Sequence, residues 1–231
     1  MNVKIENESE QIDLINEMFL RLNEGVILTA PEKRNAIGGK LVKLIRSIAK
    51  HEFFAKKVKI SNQRYQHYEM SARLLLMKYL IQQGNTADTH KTFLDQFARD
   101  YKKKLPDDNT DINTLEVLDA MAKIFVDKDK LLNKQSRIPL FYLLIREAKK
   151  QNKIRYITNE KIHEFYRILR RNTEAAKTST KLLDNNLTRF SDLSKQGTND
   201  PGNLKERFHI FASYFDIDST RIDILKSKTQ S

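Results

Sequence analysis

The stretch YQHYEMSARLLLMKYLIQQ, from Tyr65 to Gln83, decides the fold class. Tyr68, Ala72, Leu75 and Tyr79 recur at helical spacing on one face, and Met70, Leu74, Met77 and Ile81 on another. A helix that is apolar on nearly every side belongs at the centre of other helices. Toward the N-terminus, Lys40 to Lys50 carries Leu41, Leu44, Ile45 and Ile48 at the same period. Before it, Thr29 and Glu32 are spaced as a capping box, with Pro31 tolerated in the first turn, and Gly38-Gly39 ends that short helix. Ser9 to Glu24 reads as a further helix striped by Ile12, Ile15, Phe19 and Leu22, and Val3 and Ile5 alternate like the tail of a strand.

Toward the C-terminus, Gly84 to Asp88 reads as a loop, and Thr89 to Lys104 as a helix with Phe93, Phe97 and Tyr101 inward, halted by Pro106. Pro106 to Thr110 is the best internal linker. Helical spacing resumes from Asp111 to about Leu132, Ile138 to Ile145 is a buried helix start, and Thr158 to Arg171 is amphipathic. Gln196 to Asn203 is expected to be a loop and Leu204 to Tyr214 a closing helix. The expectation is a mainly α protein, an irregular multi-helix bundle with a short N-terminal β remnant. Residues 1–105 form one region and 106–231 a second packed on it.

Composition narrows the chemistry. The 231 residues include no cysteine, which removes disulfides, thiolate metal sites and cysteine nucleophiles. No apolar run reaches the length of a membrane span, so the sequence predicts a cytoplasmic protein with no membrane partner. The net charge of +12 favours polyanionic partners and sits unevenly: residues 34–104 carry +11, against −4 before them and +5 after. Lys56, Lys57, Lys59 and Arg64, followed by Tyr65 and Tyr68, offer phosphate contacts beside aromatic rings. Arg167, Arg170 and Arg171 share one helix face and the fork geometry that suits phosphate. Both clusters read equally as solvated surface. The five histidines are scattered singly, which favours ordinary roles over metal binding, and Asp107-Asp108 and Asp127/Asp129 read as surface carboxylates.

Two segments carry a family resemblance. Phe19-Leu-Arg-Leu-Asn-Glu-Gly25, followed by Leu28 and Pro31-Glu-Lys-Arg-Asn-Ala36, fits the pattern F-x-R-L-N-x-G, a short gap, L, then E-x-R-N-A. Phe190-Ser-Asp-Leu-Ser-Lys-Gln-Gly-Thr-Asn-Asp200, with Leu204 and Arg207 after it, matches a later block in the same order. The chain thereby resembles the ParB/sulfiredoxin-like domains with a DGQQR motif, found in GmrSD-type modification-dependent restriction proteins of phage defence.

The resemblance implies an upstream α/β half of about 150 residues that bears the DGQQR motif and is tied to nucleotide hydrolysis. This sequence holds no DGQQR and no histidine-rich HNH nuclease block. It is therefore expected to be a truncated or split member that binds nucleic acid or a partner without catalysis of its own. Nucleotide and Mg2+ would enter only with the missing half, and the partners implied are weakly bound DNA, an upstream DGQQR-containing chain, or a second copy. The motif positions Arg21, Asn23, Glu32, Arg34 and Asn35 are candidates for nucleotide or interface contact. An ion pair for Arg21, a helix cap for Asn23 and a capping box for Glu32 are the structural alternatives. A stand-alone basic helical module that binds nucleic acid is the other functional reading.

Overall fold

The computed structural model describes residues 28–85, 88–107, 110–178 and 183–220, and within them the chain is helical with no strand. The expected β remnant and the Ser9 to Glu24 helix lie outside the described residues. Helix α1 (Ala30–Ile37) starts as its sequence dictates: the Thr29 amide donates to Glu32 Oε2 at 2.6 Å and Pro31 occupies the first turn. Gly38 and Gly39 follow with φ of 69° and 86°. At Gly39 glycine is required twice over, because a Cβ there would stand 2.5 Å from the Lys102 carbonyl oxygen. That close approach lets the Lys40 and Leu41 amides, orphans at the start of α2 (Gly39–Ala49), donate to Lys102 O and Tyr101 O.

Helix α3 (Gln66–Gln82) is the centre the sequence predicts, touching α1 and α2 as well as α4 (Lys91–Asp100), α5 (Thr110–Ile124) and α6 (Ile138–Lys150). Its entry is unusual: Arg64 and Tyr65 are both left-handed, a conformation that costs a side-chain-bearing residue roughly 1–2 kcal/mol. Helix α6 is buried almost all round, Leu140 to Ile145 being at most 1% exposed. It packs on α5 and on the last helix, so one continuous core runs across positions 105 and 106. The later helices α7 (Asn159–Thr178), α8 (Asn185–Leu193) and α9 (Pro201–Tyr214) close the fold around an aromatic cluster. There Phe165 meets Tyr166, Phe190 and Phe211 edge to face, with ring centroids 4.8–5.3 Å apart.

Four features differ from the sequence expectation, two of them boundaries. Helix α5 stops at Ile124 instead of reaching Leu132, because the chain turns at Lys128 (φ 52°) and Lys128 and Asp129 donate their amides to Lys56 O and Lys57 O. In α4 the buried row is Leu94, Phe97 and Ala98, which rotates Phe93 out to 50% exposure. The last loop ends three residues early, since the Asp200 side chain caps α9 and Pro201 takes its first turn. Helix α8 is unanticipated, capped by Asp184 and buried through Leu187, Phe190 and Leu193. No helix among the described residues is long and apolar enough to cross a membrane.

Candidate nucleic-acid interface

The basic segment after α2 is already matched with carboxylates. Lys56 lies 3.3 Å from Glu52, Lys57 2.6 Å from Asp127, and Arg64 3.0 Å from Glu32. Lys59 is exposed. The Arg64 guanidinium, with the Thr29 amide and hydroxyl, holds the Glu32 carboxyl down at about 2. Tyr65 and Tyr68 pack edge to face on each other at 4.9 Å.

Of the motif residues, Arg21 and Asn23 lie outside the described residues. Arg34 is 3% exposed and bridges Glu69 at 2.5 Å and Asp95 at 2.9 Å, with Arg73 on the other oxygen of Glu69. Burial works against the Glu69 anion, but Arg34 and Arg73 more than offset it and its pKa falls. Asn35 accepts from Arg46 Nε at 2.7 Å and ties α1 to α2. In the described chain Arg34 and Asn35 hold helices together.

The second basic group is placed differently. Arg167 and Arg170 of α7 stand on the wall of an open cavity of about 580 Å³ bordered by the 131–137 turns, α7, α8 and α9, while Arg171 is exposed outside its lining. Lys134, Arg137 and Arg207 complete its cationic lining, His163 adds an imidazole, and Ser136, Tyr166, Thr173, Ser191 and Ser194 contribute hydroxyls. No carboxylate lines it among the described residues. The acidic partners of the two α7 arginines, Glu164 at 3.7 Å from Arg167 and Glu174 at 3.8 Å from Arg170, are long, exposed contacts on α7 itself.

Two groups at the cavity floor are unusual. Arg207 is 1% exposed, yet its guanidinium meets no carboxylate among the described residues: it reaches the backbone carbonyls Ser136 O at 3.2 Å and Thr198 O at 3.5 Å and lies 5.6 Å from the centre of the Phe190 ring, and its Nε has no hydrogen-bond partner. Burial pushes its pKa down. The Tyr166 hydroxyl is buried without a hydrogen bond, and its pKa rises to about 12 through burial, against the pull of Arg137 and Arg207. Arg137 lies over the Tyr166 ring at 4.5 Å. A buried cation and a buried hydroxyl, both left with spare donors, are the complement of a multiply accepting anion.

His163 joins the cavity from α7. Its Nε2 lies 2.9 Å from Asp129 Oδ1, and Asp129 also accepts from Asn159 at 2.7 Å and from the Leu131 amide at 2.8 Å. Asp129 is thus no surface carboxylate: it is 1% exposed and anchors α7 to the turn that supplies Lys134 and Arg137. Asp127 keeps the exposed place expected of it. No cluster of three metal-ligating side chains occurs among the described residues.

Arg207 escaped separate notice in the sequence, although a signal was present: it sits with Leu204, Phe208 and Phe211 on the buried stripe of α9. An arginine on an apolar stripe needs either a partner or a ligand. Ser191 and Ser194, the members of the Phe190–Asp200 block that reach this cavity, line it together with Arg207. No protein family, curated protein or solved structure matches this chain.

Proposed function

We propose that the chain binds the phosphate backbone of DNA and that the cavity between α7, α8 and α9 is its principal contact. The observation that carries this reading is Arg207, a buried guanidinium without a counter-ion among the described residues, in a cavity lined by four further lysines and arginines and no carboxylate. Holding an uncompensated charge out of water costs several kcal/mol, and an entering phosphate offsets that cost. Arg137, Arg167 and Arg170 present forks that suit phosphate oxygens, and the hydroxyls supply shorter-range donors. Lys56, Lys57, Lys59 and Arg64, largely matched by acidic neighbours, add long-range attraction. The contacts are to backbone, so binding is weak, sequence-independent and salt-sensitive.

The family resemblance favours a compatible role, the helical portion of a DGQQR-type defence NTPase in which nucleotide and Mg2+ enter with an upstream half and this portion grips the DNA. We place the activity in the cytoplasm, where a cysteine-free chain needs no oxidising environment. The test is fluorescence anisotropy with labelled DNA over a salt series, comparing the parent, Arg167→Glu/Arg170→Glu, and a variant with Lys56, Lys57, Lys59 and Arg64 changed to glutamate. The α7 variant is expected to lose at least ~10-fold in affinity, with the salt slope falling by about 0.9 for each phosphate the variant no longer neutralises. Unchanged affinity and slope in that variant would sink the reading.

A further inference from the structure

Helix α7 separates the cationic cavity from a second one of about 490 Å³, lined by Tyr156, Tyr214 and Phe215 with Lys153, Lys161, Glu164 and Asp216. Tyr156 and Tyr214 are 46% and 39% exposed, two of the few large apolar-bodied side chains left open to solvent. Both rings are held. Tyr214 packs edge to face on Phe165 and Phe215 at 5.2 Å each, and Arg155 covers Tyr156 at 4.7 Å while donating to its hydroxyl. The two cavities are close neighbours: Phe165 touches Tyr214 at 5.2 Å and the cavity-floor ring Tyr166 at 5.3 Å. Arg167, on the cationic wall, and Glu164, on the aromatic side, both act electrostatically on the Tyr214 hydroxyl.

The two linings also sort their contents. The first holds positive charge without carboxylates and admits phosphate. The second balances Glu164 and Asp216 against Lys153 and Lys161, so it gives phosphate no net attraction and leaves a flat, uncharged group against the tyrosines as the fitting occupant. A duplex keeps its base faces stacked inside and has nothing to offer a fixed tyrosine, whereas an unpaired strand has a π-face beside every phosphate.

Resting on the phosphate-binding reading above, we infer that the chain holds DNA as a single strand, with a phosphate in the cationic cavity and an adjacent base against Tyr214 and Tyr156. The strand is taken as DNA on the reading above, and the oligouridylate arm tests that choice.

The experiment compares, on the full chain, a labelled oligothymidylate, a duplex of equal length and an oligouridylate, for the parent and for Tyr156→Ala, Tyr214→Ala, Tyr156→Phe and Tyr214→Phe. The oligothymidylate is expected to bind the parent more tightly than the duplex. Each alanine variant should weaken it roughly 5- to 100-fold while leaving duplex affinity unchanged, and each phenylalanine variant should restore it, since the stacking face is retained. Should Tyr214→Ala fail to fold, Tyr156→Ala and the Tyr214→Phe rescue still decide the matter. Equal affinity for strand and duplex, or alanine variants that weaken both alike, would overturn the inference. Tighter binding of the oligouridylate would overturn the assignment to DNA. These failures are separable from failure of the underlying reading, because Arg167→Glu/Arg170→Glu must weaken both DNA probes if phosphate binding holds, whatever the tyrosines do.

Discussion

Replacing Arg207 with methionine separates a ligand-binding arginine from an architectural one. In the parent the guanidinium makes two backbone hydrogen bonds, at 3.2 and 3.5 Å, and meets no carboxylate among the described residues. Bonds from a charged donor contribute about 1.5–3 kcal/mol each, and at these lengths the lower end applies. Against them stands a desolvation cost of several kcal/mol for the lone buried charge, which methionine removes while filling much of the volume. The two sums nearly cancel, so Arg207→Met should change unfolding free energy by less than about 2 kcal/mol. The ligand response should change far more. DNA at a hundred times its dissociation constant stabilises the parent by ~2.7 kcal/mol, or roughly 5–11 °C in a chain of this size. Without the arginine the shift should fall to less than half. Thermal melts by circular dichroism at low salt, with and without oligonucleotide, measure both quantities. An undiminished shift, or a destabilisation above ~4 kcal/mol in the free protein, would refute the argument.

The opposite outcome is expected at Arg34, whose charge is matched: Glu69→Gln should cost about 3–5 kcal/mol in urea denaturation by leaving that buried cation half-paired. Because the Glu69 pKa lies below its ordinary 4.5 in the folded chain, its contribution is present above that pH and fades as pH falls, so the parent and Glu69→Gln stability curves should converge in acid. Glu32, held at about 2, behaves alike: its contribution is complete above pH 4.5 and fades on acidification toward 2, and Thr29→Ala should cost about 1 kcal/mol by removing the capping hydroxyl that donates to Glu32 at 2.7 Å. Gly39→Ala should destabilise by more than ~1 kcal/mol in the same assay, since it combines a positive φ with a Cβ against the Lys102 carbonyl.

The sequence discloses those elements whose own pattern is sufficient. The all-round apolar run at Tyr65–Gln83 predicts a central helix, and α3 occupies Gln66–Gln82 in that role. The Ile138 to Ile145 run and the Thr29/Glu32 capping box are legible for the same local reason. What escapes depends on distant partners. The turn that ends α5 is fixed by amides reaching carbonyls some seventy residues earlier, and no local breaker announces it. Phe93 and Phe97 differ in burial because of how α4 rotates against its neighbours. The candidate site is a still more distributed case. Arg167 and Arg170 are visible as one face of a helix, but their surroundings come from turns thirty residues earlier and helices α8 and α9, and the Asp129–His163 hydrogen bond spans 34 positions.

The isolated hydroxyl of Tyr166 gives the molecule an optical reporter of its own. With no tryptophan in the chain, its near-ultraviolet spectrum belongs chiefly to eight tyrosines. Tyr166 combines a fixed asymmetric ring environment, a guanidinium over one face and an oxygen that donates to nothing. A phosphate accepting from that oxygen would shift and intensify the band of this chromophore, so occupancy can be followed in unlabelled protein, with Tyr166→Phe as the silent reference.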